Sequence, residues 1–241
     1  MSGHNKWSQI KRQKGAADVK KGASFTKLSN NITLASKEGG GDPAANFKLR
    51  LAIDKARDAN MPKDNIERSI KRGTGELGGA QVQEATYEAY GPAGTAYLIE
   101  TISDNKNRTV SDVKSTVSKA GGRVGEVGSV AWMFETKGVI QSAPSDNLEE
   151  LIIDSGANDY EEVEDKVYIY TDLVDLESVK KYLTENGAKI ESAEISKEPK
   201  NPVVINDKAQ VEQLMKFVDR LEELDDVTQV YPNFAINEEL L

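Results

Sequence analysis

Between residues 133 and 206 the apolar residues alternate between two spacings, a period of two and a period of about 3.6. Strand patterns at 138–142, 160–163, 166–171 and 189–195 enclose helical patterns at 147–155 and 176–186. This βαββαβ order restricts the segment to very few folds, of which the ferredoxin-like split βαβ arrangement is the standard one. The segment reads as a separate unit. It is also acidic, with 7 Lys and Arg against 17 Asp and Glu.

Upstream the pattern is helical. Phe25, Leu28, Ile32 and Ala35 share one helical face, and Gly39-Gly40-Gly41 stops that helix. A second helix is expected to open near Asp42-Pro43 and run to about Asn60. Leu49, Ala52, Ile53 and Ala56 form one face of it, with Phe47 and Leu51 on another, which suits the middle of a small bundle. A third follows Met61, with Pro62 in its first turn, Ile66 and Ile70 facing inward, and Gly73 at its end. Three glycines within Gly75-Glu76-Leu77-Gly78-Gly79 mark a domain boundary. Beyond it come a strand at 86–90, a turn at Gly91-Pro92-Ala93-Gly94 and a strand at 96–102. A helix bearing Val110, Val113, Val117 and Ala120 on one face then leads to a turn ahead of Ala131-Trp132-Met133-Phe134. After the acidic segment, a strand at 202–205, a helix with Val211, Leu214, Val218 and Leu221, and a strand near 227–231 complete the chain. These last two strands have no neighbour in sequence and are expected to pair with the 79–132 region.

Charge divides the chain in the same way. Residues 1–78 hold 16 Lys and Arg against 8 Asp and Glu, whereas the other 163 residues hold 15 against 32. A clustered cationic lobe on an acidic body points to nucleic acid, because phosphates attract clustered cations and release counterions on binding. Residues 1–21 carry too little apolar surface to order themselves and read as a flexible basic arm. The candidate contacts in and next to the arm are Lys6, Trp7, Lys11, Arg12, Lys14, Lys20, Lys21 and Lys27. Trp7 can stack on an unpaired base or fold back as a hydrophobic anchor. Arg68, Lys71 and Arg72 lie on the exposed side of the third helix, where they also favour its dipole. In the nearly neutral middle region Lys106, Arg108 and Lys119 are placed to extend the basic surface.

Other chemistries find little support. The chain has no cysteine and one histidine, which removes disulfides, thiolate metal sites and His-based centres. Gly39-Gly40-Gly41 lacks the Gly-Lys-Ser/Thr of a phosphate loop, and Gly122, Gly125 and Gly128 lack dinucleotide spacing. Asp104 to Arg108 begins with calcium-like spacing but supplies neither the glycine nor the terminal glutamate. Thr101 to Asp104 has a serine and a carboxylate without a histidine partner. No apolar run reaches the 18 or so residues of a membrane span, and the first residues carry no apolar signal segment. The expectation is a cytoplasmic, monomeric protein with no cofactor, no small-molecule substrate and no membrane partner.

Several motifs together carry a family resemblance. They are Gly3-His4-Asn5-Lys6-Trp7-Ser8-Gln9-Ile10-Lys11, Gly39-Gly40-Gly41-Asp42-Pro43, Ala59-Asn60-Met61-Pro62-Lys63-Asp64-Asn65-Ile66, Tyr87-Glu88-Ala89-Tyr90-Gly91-Pro92, Asp104-Asn105-Lys106-Asn107-Arg108-Thr109 and Gly128-Ser129-Val130-Ala131-Trp132. From end to end the chain resembles the YebC/PmpR family, which includes the mitochondrial translational activator of cytochrome oxidase. The resemblance implies an α+β protein of three domains without catalytic activity. After the arm at 1–21, a three-helix bundle would span 22–78 and a discontinuous α+β domain 79–132 plus 203–241. An acidic ferredoxin-like domain would be inserted at 133–202. Ala89 and Ala93 depart from the family pattern, in which glycines are common at those positions.

Two functions from different classes of target are compatible with these features. One is a ribosome-associated translation factor that binds rRNA and relieves stalled elongation, for example at proline runs. The other is a DNA-binding transcriptional regulator, the family's traditional description. No recognition helix with base-reading Arg, Asn or Gln stands out, which favours RNA.

Overall fold

The computed structural model describes residues 25–78, 82–163, 165–237 and 240. Within them the chain forms two compact units. One is the contiguous segment Phe134–Lys200; the other combines the described residues up to Met133 with those from Asn201 onward.

In the discontinuous unit three helices come first: α1 (Phe25–Gly39), α2 (Phe47–Asp58) and α3 (Lys63–Gly73). Leu28, Ile32 and Ala35 of α1 pack with Leu49, Ile53 and Ala56 of α2 and with Met61 and Ile66. The first helix, not the second, is central, because α1 packs on both α2 and α3. Phe47 and Leu51 stay half-exposed, and the Arg50 guanidinium lies 5.7 Å from the Phe47 ring centre. The second helix also opens later than its sequence suggests. Asp42 accepts the Ala44 N–H and forms a turn, and the Asn46 side chain caps the helix by accepting the Leu49 N–H. The same amide donates to the carbonyls of Ala35 and Gly40, tying the end of α1 to the start of α2. Helices α1 and α3 approach closely enough that a Cβ on Gly73 would collide with the Thr33 carbonyl oxygen.

A four-stranded sheet follows. Strands β1 (Gln83–Tyr90) and β2 (Ala96–Ser103) form a hairpin, and β3 (Arg123–Val124) pairs with the end of β1. Strand β9 (Val227–Pro232) returns from the far end of the chain to pair antiparallel with β2, which gives the order β3-β1-β2-β9. Helices α4 (Lys106–Lys119) and α7 (Lys208–Glu222) supply Val113, Val117, Leu214, Phe217, Val218 and Leu221 to a shared core. Tyr97 anchors that core, with Phe217 edge-on at 4.9 Å and Phe234 at 6.4 Å. Only one of the two C-terminal strands joins this sheet. Strand β8 (Val203–Ile205) instead pairs in parallel with β10 (Phe234–Ile236), a three-residue strand too short to show in the sequence. Helix α1 also lies against β2 and β9, so the helices and this sheet belong to one compact unit.

The hairpin turn explains one departure from the family pattern. Ala93 adopts φ 56°, ψ 26°, the left-handed region that costs an L-residue about 1–2 kcal/mol. Ala93→Gly should therefore be neutral to stabilising by up to about 1 kcal/mol, after the greater backbone entropy of glycine is offset. Urea unfolding would check this, and a clear loss of stability would contradict the strain argument.

The contiguous unit runs β4 (Phe134–Ser142), α5 (Leu148–Ser155), β5 (Asp159–Val163), β6 (Lys166–Thr171), α6 (Leu176–Glu185) and β7 (Ile190–Pro199). Its strands are all antiparallel, in the order β5-β6-β4-β7. The first and third strands are central, which is the ferredoxin-like arrangement. Leu148 and Ile152 of α5 and Leu176, Val179 and Leu183 of α6 are buried.

Candidate nucleic-acid interface

The cationic end of α3 is the best-formed part of the candidate site. Helix α3 turns Ile66 and Ser69 inward, which leaves Arg68 and Lys71 exposed and Arg72 half-buried at the helix margin. Ser69 shows why this face is fixed: its hydroxyl meets that of Ser29 at 2.7 Å, and its carbonyl accepts the Thr33 hydroxyl. A shallow open cleft runs between α1 and α3, lined by Phe25, Thr26, Asn65, Arg68 and Arg72 among others. Among the described residues Arg68, Lys71 and Arg72 have no acidic partner. Other cations of the lobe do: Lys48 pairs with Glu38 at 3.0 Å, Arg57 with Asp54 at 3.6 Å and Lys63 with Glu67 at 3.5 Å. The α3 terminus thus combines uncompensated positive charge, an exposed aromatic ring and amide and hydroxyl groups. This chemistry suits phosphates with a neighbouring base.

Two other candidates are engaged by the fold itself. The Lys27 ammonium donates to the carbonyl of Glu222 at the end of α7. Arg108 closes a fork on Asp226, with Nε to Oδ2 at 3.1 Å and Nη2 to Oδ1 at 2.7 Å, and also reaches Asp104 at 3.3 Å. Thr109 donates to the same buried Asp226 carboxylate at 2.8 Å. Burial opposes the charge on Asp226, but hydrogen bonds from Arg108 and Thr109 outweigh it and hold the carboxyl below its ordinary range. The guanidinium is held in its charged form by the same contact, so its charge is already matched.

Lys106 and Lys119 are exposed but stand at the two ends of α4, roughly 20 Å apart at the helical rise per residue. The structure does not bring them into one patch. Lys6, Trp7, Lys11, Arg12, Lys14, Lys20 and Lys21 lie outside the described residues, as does the expectation of a flexible arm.

A second feature joins two of the family motifs in a way that no local pattern shows. Glu88 on β1 is buried, and its carboxylate accepts the backbone N–H groups of Gly128 at 2.5 Å, Val130 at 2.6 Å and Ala131 at 2.9 Å. Burial raises its pKa, yet these three donors prevail and hold the group below the usual carboxylate range. An acid in an alternating strand reads as a solvent-facing residue, so nothing local points to this role. Among the described residues no helix is long and apolar enough to cross a membrane, and no group of three or more His, Cys, Asp or Glu is arranged to hold a metal ion.

A basic helical lobe, a sheet drawn from both sides of an intervening segment and the ferredoxin-like unit which that segment encodes define a composite α+β class of protein. Comparison with known proteins makes this specific. The chain belongs to the TACO1/YebC family: residues 5–76 match the TACO1/YebC protein N-terminal domain, and residues 82–234 match the TACO1/YebC second and third domain. It is 51% identical over 242 residues to a probable transcriptional regulatory protein of Geotalea uraniireducens, covering 99% of this chain and 98% of the relative. It is 50% identical over 246 residues to one of Chlorobaculum tepidum, covering 100% and 98%. The crystal structure of a conserved hypothetical protein from Aquifex aeolicus superposes with a TM-score of 0.83 at 43% identity, covering 90% of this chain and 91% of that one.

Proposed function

We propose that the protein is a non-enzymatic, cytoplasmic regulator of gene expression that acts as a ribosome-associated translation factor. It binds rRNA through the basic helical lobe and relieves stalled elongation, for example at proline runs. The observation that carries this reading is the set of uncompensated cations Arg68, Lys71 and Arg72 beside the exposed ring of Phe25. They belong to a segment with 16 basic against 8 acidic residues. RNA loops and unpaired bases reward such a mixture of charge and aromatic surface, and a compact RNA offers phosphates on several sides of a small lobe.

The second reading is a DNA-binding transcriptional regulator, and the names of the relatives favour it. Against it, the arginines of α2 are occupied: Arg50 donates to the Pro43 carbonyl and Arg57 pairs with Asp54. Exposed contacts of this kind are weak, so they bias α2 only slightly away from a major groove.

Sedimentation separates the two readings. The protein should travel with ribosomes in a lysate gradient, and Lys11→Glu/Arg12→Glu should release it. If it is absent from ribosomal fractions and instead discriminates one promoter from random DNA at raised salt, the transcriptional reading replaces this one.

A further inference from the structure

After β3 the chain enters a loop at 125–133 that is held far more firmly than a surface connection requires. Three of its N–H groups end on the buried Glu88 carboxylate, and the Gly125 N–H donates to the Glu88 carbonyl at 2.7 Å. The Tyr90 hydroxyl donates to the Ser129 carbonyl at 3.1 Å, and the Met133 N–H closes on Val130 at 2.9 Å. Val130 is fully buried beneath this frame. Yet the loop presents two large apolar side chains to solvent, Val127 at 96% exposure and Trp132 at 65%.

The way Trp132 is held determines what it can recognise. Its indole N–H is spent inside the loop, donating to the Ser129 carbonyl at 3.0 Å. The ring therefore offers a face of fixed orientation and no hydrogen-bond donor. Next to the frame, Arg123 lies 4.3 Å over the ring of Tyr90, the residue that shares the Ser129 carbonyl with Trp132. The loop's own exposed acid is Glu126, while the Glu88 carboxylate is buried and matched by its three donors. A rigid π face without a donor, on a frame whose Tyr90 carries a cation, suits a flat aromatic group attached to an anion. A nucleobase and its phosphate have that form, and only an unpaired base has a face free to stack.

We infer that Trp132 is a stacking platform for an unpaired base of single-stranded or looped RNA, presented by the Glu88-held loop, with Arg123 held over Tyr90 of the same frame. The inference rests on the reading of the chain as an RNA binder, and it adds a contact point on the α+β part of the same unit. Glu88 acts as a positioning residue, while Trp132 makes the contact. A merely structural tryptophan would have its ring buried and would not need a prebuilt frame to hold it outward.

The test uses the full chain carrying Trp7→Phe, so that Trp132 is the remaining one of two tryptophans. Titration with a single-stranded oligoribonucleotide should quench its emission saturably, and a fully paired RNA of equal length should not. In anisotropy measurements Trp132→Ala should weaken single-strand binding roughly 10- to 100-fold and leave duplex binding unchanged, and Trp132→Phe should restore most of the loss. Arg68→Glu/Arg72→Glu should weaken binding to both RNAs. If that double variant loses binding while Trp132→Ala binds like its parent and the indole is never quenched, the platform is overturned and the RNA reading stands. In that case the exposed tip is a protein contact. If the chain with both tryptophans intact binds neither RNA, the reading itself falls and the platform with it.

Discussion

Glu88→Ala is expected to destabilise the discontinuous unit by about 1–3 kcal/mol. A buried donor left without its acceptor costs about 1–3 kcal/mol, and of the three N–H groups released that of Val130 is buried, while those of the exposed Gly128 and Ala131 can turn to water. Water admitted to the void would recover part of that. Urea unfolding followed by circular dichroism reads the loss directly, and a change below about 1 kcal/mol would show that the loop needs no carboxylate. A pH arm adds the sign. Glu88 and Asp226 both have folded-state pKa values below their ordinary ones. Their contribution is therefore complete above roughly pH 5 and disappears as the pH falls through the depressed values. Stability of the parent should drop with acid over that window, and Glu88→Gln should flatten the drop by removing one of the two titrating groups. An unchanged acid limb would contradict the assignment.

The second large effect is on binding. Arg68→Glu/Arg72→Glu reverses two uncompensated charges on the α3 terminus and leaves the buried core of the bundle intact. Affinity for RNA should fall at least about 100-fold near physiological salt. The slope of log affinity against log salt should become shallower by about one for each phosphate that is no longer neutralised. Filter binding across a salt series measures both quantities. If affinity falls without a change in slope, the two arginines are not meeting phosphates. Arg108→Gln provides a useful contrast: its guanidinium is already matched by Asp226, so it should change stability more than the salt slope.

The parts of this protein legible in its sequence are those set by local period. The three N-terminal helices, the β1–β2 hairpin and the split βαβ order each follow from residues within about a dozen positions of one another. The remainder is set by partners far apart in the chain. Arg108 reads as a free cation because Asp226, 118 residues away, gives no local hint of pairing with it. Asp226 itself sits in an acidic run that reads as a solvated face. Glu88 and its loop are separated by about 40 residues, and Trp132 reads as part of the apolar run that follows a turn because periodicity does not register exposure. The second helix begins late because the Asn46 side chain outcompetes a proline as its start. Lys27 has the composition of a phosphate contact, but its ammonium is turned to a main-chain carbonyl.

The pairing of β9 with β2 has a consequence for how the protein is made. Strand β2 ends at Ser103 and its partner begins at Val227, so an emerging chain carries β2 with one edge unpaired while the whole ferredoxin-like unit is synthesised. At ordinary elongation rates that wait is on the order of ten seconds, long compared with the folding of a small domain. The intervening unit is contiguous and can complete its own sheet during this interval. The discontinuous unit cannot, and an open strand edge invites pairing with another chain until β9 arrives. Emergence of β9 is thus the step that closes this sheet, and truncation between Ser103 and Val227 should leave it with an adhesive edge.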